Sequence, residues 1–113
     1  MRIAITSQNF RTITGHAGKT RRFLIFEAGE DIEPGEPERL DLGRDMSLHE
    51  YHGDDHPIFA VDVVITAGCG HGFVQRLAHH GVRVIATSER DPLAALSAVV
   101  AGESLPPALP HAH

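Results

Sequence analysis

Apolar and polar residues alternate from the start of the chain. Residues 2–6 place Ile3 and Ile5 on one face and read as a first strand. A polar loop over residues 7–19 follows. Residues 21–28 form a second strand, rich in β-branched and aromatic side chains at Phe23, Leu24, Ile25 and Phe26. A turn over residues 29–37 carries acids, Gly35 and two prolines. Residues 38–42 set Leu40 and Leu42 on one face of a third strand. The short connections between these strands predict an antiparallel meander.

The pattern changes in the second half. Residues 61–66 are an apolar run that reads as a buried strand, and residues 67–72 are a tight glycine loop. Phe73, Val74, Leu77 and Ala78 then recur at helical spacing, and Gly81 stops the helix. Residues 82–86 form the next strand. Asp91 caps a last helix with Pro92 at its first position. Its predicted apolar stripe is Leu93, Leu96, Val99 and Val100, and Gly102 ends it. Two strands joined by a helix predict a parallel βαβ unit. Residues 43–57 are polar and without a clear period; a short helix is expected to start at Asp54 or Asp55, with Pro57 in its first turn. The fold class is therefore α/β, with a mixed sheet of about five strands and helices packed on it. One domain spans residues 1–103, and a proline-rich tail, expected to fray, covers residues 104–113.

Composition narrows the function classes. A chain of 113 residues with 42% hydrophobic content can build one core. No apolar run approaches the roughly 20 residues needed to span a bilayer, and no signal-peptide pattern is present, so a cytoplasmic protein is expected. The single cysteine, Cys69, excludes an intrachain disulfide and a four-cysteine metal site within one chain. The net charge of −5 argues against a nucleic-acid partner. Nine histidines are the outlier; they supply borderline-soft metal ligands.

Three places could carry chemistry. His16 sits between small residues and is followed by Gly18, Lys19, Arg21 and Arg22. One imidazole beside several cations suits an anionic cluster or oxyanion, and the competing reading is a solvated loop. Gly68, Cys69, Gly70 and His71 lie between a strand and a helix, where unpaired amides and the helix dipole favour an anion. The loop lacks the Lys-Ser/Thr ending of a nucleotide phosphate loop. A tight βα turn with a buried cysteine is the plainer alternative. His49, His52 and His56, with Glu50, Asp54 and Asp55, form a third cluster that could bind zinc or nickel or merely keep a loop solvated. His79 and His80 are adjacent and are expected on different helix faces; His111 and His113 lie in the tail. No Gly-x-Ser-x-Gly elbow or converging carboxylate set nominates a hydrolytic reaction.

The opening strand Arg2–Ser7, the His16 and Gly18 loop, and the strand Arg22–Phe26 together resemble the dinitrogenase iron–molybdenum cofactor biosynthesis family, as in the NifX, NifY and NafY cores. The later stretch from Val61 to Gly70, with Leu77 and residues 81–84, is similar to that family's second half. The resemblance implies a ribonuclease H-like three-layer fold without nuclease activity. It implies a non-catalytic carrier that binds iron–molybdenum cofactor or its iron–sulfur precursor cluster and meets nitrogenase or cofactor-assembly proteins. It also makes His16 the metal ligand, in the place of the family's His-Phe-Gly histidine, with Ala17 here replacing the phenylalanine. Cys69 departs from the family's usual cysteine-free glycine loop. On this reading Gly18, Lys19, Arg21, Arg22, Gly68, Cys69, Gly70 and His71 complete the binding site. A mononuclear zinc or nickel module and a phosphate- or small-molecule-binding regulatory domain are the alternatives.

Overall fold

Strand alternation determines which side chains each face of the sheet buries. The computed structural model describes residues 1–29 and 35–109. Five strands form one sheet: β1 (Arg2–Thr6), β2 (Arg22–Glu27), β3 (Glu38–Asp41), β4 (Val63–Thr66) and β5 (Arg83–Ala86). Their order is β3-β2-β1-β4-β5. The first three strands are antiparallel, as expected, although the connections between them, residues 7–21 and 28–37, are longer than hairpin turns. β4 joins β1 in parallel, with Ile3 opposite Val63 and Ile5 opposite Ile65, and β5 runs parallel to β4.

The period of two splits the core. Ile3, Ile5, Leu24, Phe26, Val63 and Ile65 face one side and meet Ala95 and Leu96 of helix α2 (Pro92–Val100). Ala4, Phe23, Ile25 and Val64 face the other side and meet Leu77 of helix α1 (His71–His79). Leu48, Ile58, Val61 and Val82 complete that second layer. This is the three-layer, ribonuclease H-like arrangement that the resemblance implies.

Several local expectations shift. Helix α1 starts at His71, so the glycine loop is shorter than residues 67–72 and Gly72 belongs to the helix. Its Ala78 is exposed, and Phe73 and Leu77 make the packing stripe. In α2 the buried positions are Pro92, Ala95 and Leu96, flanked by Val99 and Val100. Leu93 is 59% exposed, because at ~100° per residue it lies on the edge of a stripe centred on Pro92 and Leu96. The short helix begins at Pro57, not at Asp54 or Asp55: a 3-10 turn spans Pro57–Ala60, capped by the His56 ring. Residues 105–107 of the tail make contacts with the domain. Thr87 Oγ1 donates to the Pro106 carbonyl at 2.6 Å, Thr87 bridges Pro107, and Leu105 packs on the α2 side of the core. His111 and His113, and residues 30–34 of the predicted turn, lie outside the described residues.

At the carboxyl ends of β1 and β4 two fully buried threonines meet. Thr6 Oγ1 is 2.9 Å from Thr66 Oγ1 and 2.5 Å from the Thr14 carbonyl. Thr66 Oγ1 accepts from the Gly68 amide at 3.3 Å and lies 3.2 Å from both the Thr14 and Gly68 carbonyls. Replacing Thr66 by valine keeps the shape but strands the Gly68 amide. The expected loss is about 1–3 kcal/mol in urea unfolding; a change below a few tenths would remove the hydroxyl pair as a structural element.

Candidate functional site

Two parallel neighbours, β1 and β4, deliver their following loops to the same edge of the sheet, the usual place for a ligand in an open α/β sheet. Backbone bonds sew those loops together. The Thr14 amide donates to Thr6 O at 2.9 Å, the Ala67 amide to Thr14 O at 3.1 Å, and the Ala17 amide to Gly68 O at 3.1 Å. The approach is close enough that a Cβ on Gly15 would touch the Gly68 nitrogen at 3.6 Å. The chain then turns through a 3-10 segment, Ala17–Lys19, entered by His16 in the left-handed region at φ 53° and ψ 51°. Non-glycine residues adopt that conformation uncommonly, histidine more readily than most.

A third wall comes from the stretch that has no sequence period. It holds a 3-10 turn at Arg44–Met46 and a turn through His49. The His49 amide donates to Gly18 O at 2.6 Å. From α1, the Arg76 guanidinium donates to the carbonyls of Leu48 and Tyr51, on either side of His49. It also lies over the Phe59 ring at 5.5 Å. Sequence reading found neither Arg76 nor His49 as part of this site. Nothing in the local sequence marks Arg76, and only the tertiary approach of residues 48–51 gives it a role.

Between these walls lies a hollow of about 270 Å³, lined by His16, Ala17, Gly18, Lys19, His49, Cys69 and Gly70. A second hollow of about 430 Å³ lies on the other flank of His16, and Lys19 borders both. Burial pushes the Cys69 thiol above its ordinary value, so it stays protonated near neutrality. Neither Gly18 nor Gly70 has a positive φ, and a Cβ on either would meet nothing within 4 Å. Folding therefore does not require glycine at either position. What the glycines preserve is empty volume in the hollow. Gly70 also caps α1 without a side chain, which leaves the first-turn amides available to a ligand.

The predicted residues divide accordingly. His16, Gly18, Lys19, Cys69 and Gly70 come together. Arg21 borders an adjoining hollow. Arg22 is drawn away: its Nε lies 3.3 Å from Asp41 Oδ1, Nη1 donates to the Gln8 carbonyl, and the group sits over Phe10. Gly68 is outside the lining because its amide and carbonyl are both used in the loop junction. His71 is the exposed first residue of α1, also outside the lining. The three-histidine cluster does not assemble. His52 is exposed, His49 faces the hollow, and buried His56 uses both ring nitrogens. Its Nδ1 accepts from the Ile58 amide at 3.1 Å, so Nε2 carries the proton and donates to Met46 O at 2.6 Å. His80 stacks on Phe59, with its ring edge-on to His79. Among the described residues, no group of three or more His, Cys, Asp or Glu is placed to hold a single metal ion. No helix among them is long and apolar enough to cross a membrane.

Comparison with known proteins agrees with the fold. A sequence model of the dinitrogenase iron-molybdenum cofactor family matches residues 1–102. The solved structure of PH0822 superposes with a TM-score of 0.69 at 19% identity, covering 93% of this chain and 96% of that one. MJ0327 of Methanocaldococcus jannaschii, provisionally named a dinitrogenase, superposes at 0.67 with 15% identity, covering 91% and 90%. At these identities the two structures establish the fold alone. No curated protein matches the sequence.

Two measurements test this account. Gly18→Ala is expected to hold or raise stability, by up to about 1 kcal/mol, because it restricts the unfolded chain without meeting any neighbour. A loss above 1 kcal/mol in urea unfolding would show that the hollow is filled by the protein itself. The second concerns His56, held below its ordinary value of 6.5 by burial first and by Arg76 second, against an opposing Met46 bond. Its contribution is intact above the unfolded value and is lost as pH falls toward the folded value, because the unfolded ring takes up a proton that the folded ring refuses. The stability difference between wild type and His56→Gln should therefore shrink between pH 8 and pH 5. Parallel stability curves for the two proteins would reject the assignment.

Proposed function

The chain belongs to the dinitrogenase iron-molybdenum cofactor family, and from that premise we propose that it is a non-catalytic carrier of an anionic iron–molybdenum or iron–sulfur precursor cluster. Family membership ties the chain to iron–molybdenum cofactor biosynthesis. The carrier role is our reading of the hollow. The observation that supports it most is the pairing of His16 with two glycines, Gly18 and Gly70, whose missing side chains leave room that folding does not need.

The chemistry follows from the lining. An imidazole nitrogen is a borderline ligand suited to iron. Lys19 beside it offsets the negative charge of a sulfide cluster. The α1 first-turn amides add donors for sulfide or oxide. Cys69 is protonated, so it binds metal only by giving up its proton, which makes it a conditional second ligand. A site with one resident imidazole and an open mouth suits cargo that must leave again, for nitrogenase or an assembly protein in the cytoplasm.

The test is an anaerobic titration of the whole chain with an iron–sulfur cluster precursor, followed by visible absorbance. His16→Ala should weaken binding by at least about tenfold, the scale expected for loss of one charge-assisted or metal-directed contact. Gly18→Ala should weaken binding while leaving the fold intact. Equal affinity and equal spectra for wild type and His16→Ala would reject His16 as ligand and, with it, this reading.

A further inference from the structure

Beside the His16 hollow, and sharing Lys19 and His49 with it, lies another of about 420 Å³, lined by Lys19, Arg21, Arg44, Ser47, His49 and Glu50. Two observations set it apart from ordinary charged surface. Among the described residues the salt bridges engage only Arg2 and Arg22, and Lys19, Arg21 and Arg44, none of them in one, are gathered on the walls of a single hollow. Ser47 is only 5% exposed, yet its hydroxyl has no hydrogen-bond partner among the described residues. No buried side-chain polar atom among the described residues lacks a partner, so the Ser47 oxygen is itself reached by solvent. Its remaining exposure opens on this hollow.

We propose that the hollow is a second anion subsite that takes a multiply charged oxyanion. Three cations against the single carboxylate of Glu50 leave a net positive wall. Arg44 and Arg21 offer planar forks suited to paired oxygens, and Lys19 a point charge. The Ser47 hydroxyl gives the donor that a phosphate, molybdate or carboxylate oxygen would accept. Arg44 and Ser47 belong to one 3-10 turn and its cap, so their spacing is set by the backbone and not by long flexible arms. Because Lys19 and His49 border both hollows, one ligand with a metal–sulfur body and an oxyanion end would fill the two at once. That last step rests on the carrier reading; binding of a free oxyanion does not.

Calorimetry on the whole chain at low and at physiological ionic strength tests the subsite, with inorganic phosphate, molybdate and citrate as separate probes. At least one should bind saturably at one per chain, more weakly at the higher salt. Arg44→Ala should weaken it by about tenfold and Ser47→Ala by less, with unchanged thermal midpoints. Binding of phosphate or molybdate alone identifies an inorganic oxyanion as the ligand, and binding of citrate alone identifies a carboxylate. The free probe should bind His16→Ala as it binds wild type. If none of the three binds wild type saturably, or if Arg44→Ala and Arg44→Glu both bind as wild type does, the subsite is overturned. Should His16→Ala leave cluster binding intact while the oxyanion result holds, the carrier reading fails and the subsite stands.

Discussion

The Thr14 carbonyl is the knot on which the site depends. It lies within hydrogen-bond distance of Thr6 Oγ1, Thr66 Oγ1 and the Ala67 amide. Both hydroxyls are fully buried, at the ends of neighbouring parallel strands. In that low-dielectric setting an unpaired polar group is expensive, so the loop after β1 and the loop after β4 are not free to separate. The interaction converts a property of the sheet, the parallel adjacency of β1 and β4, into a fixed spacing between His16 and Gly70.

The third wall is held differently. Residues 43–51 have no strand or α-helix to anchor them, and Leu48 is their apolar peg in the core. Arg76 supplies the rest by reaching from α1 to two carbonyls that flank His49. Charged donors to carbonyls are among the stronger hydrogen bonds. The neutral His56 ring closes the base of the same segment, joining Met46 to the Pro57–Ala60 turn. Helix α1 thus does two jobs. Its buried face with Leu77 packs the sheet, and its first turn and Arg76 frame the hollow.

Much of the fold was legible in the sequence because alternation of period two and the spacing of apolar positions along the helices constrain it strongly. Strand limits came within a residue or two, and both the antiparallel half and the βαβ half stand. The parallel pairing of β1 with β4 was not legible, since it joins residues about 60 apart and leaves no local pattern. The site was half legible. His16 and the glycine loop announced themselves by small neighbours and position. Their union in one hollow rests on the threonine knot, which reads in sequence as two ordinary strand-end threonines. Arg22 and His71 looked like site residues by proximity in sequence alone. The strand pairing sends Arg22 to Asp41, opposite it in the β2–β3 register, and the start of α1 carries His71 out to solvent. The histidine-rich stretch misled most, because spacing cannot show that His56 is a buried cap and His49 a wall.

The charge distribution bears on the proposed cargo. The chain is net negative, at −5, which by itself would repel an anionic cluster. On the β2 and β3 side Arg2 and Arg22 are spent on Glu27, Glu38 and Asp41. Lys19, Arg21 and Arg44 are left together at the hollows. A local positive field inside a negative protein concentrates an anion at one mouth and disfavours it elsewhere, an effect that governs encounter more than final affinity. For a carrier this division is useful. Surface attraction fades with salt and distance, so it captures without holding, while in the proposed carrier the grip itself would fall to one imidazole and a few amides. Glycines at 18 and 70 keep that grip from being crowded out by the protein's own side chains, and the hydrogen-bonded frame beneath them keeps the opening in place.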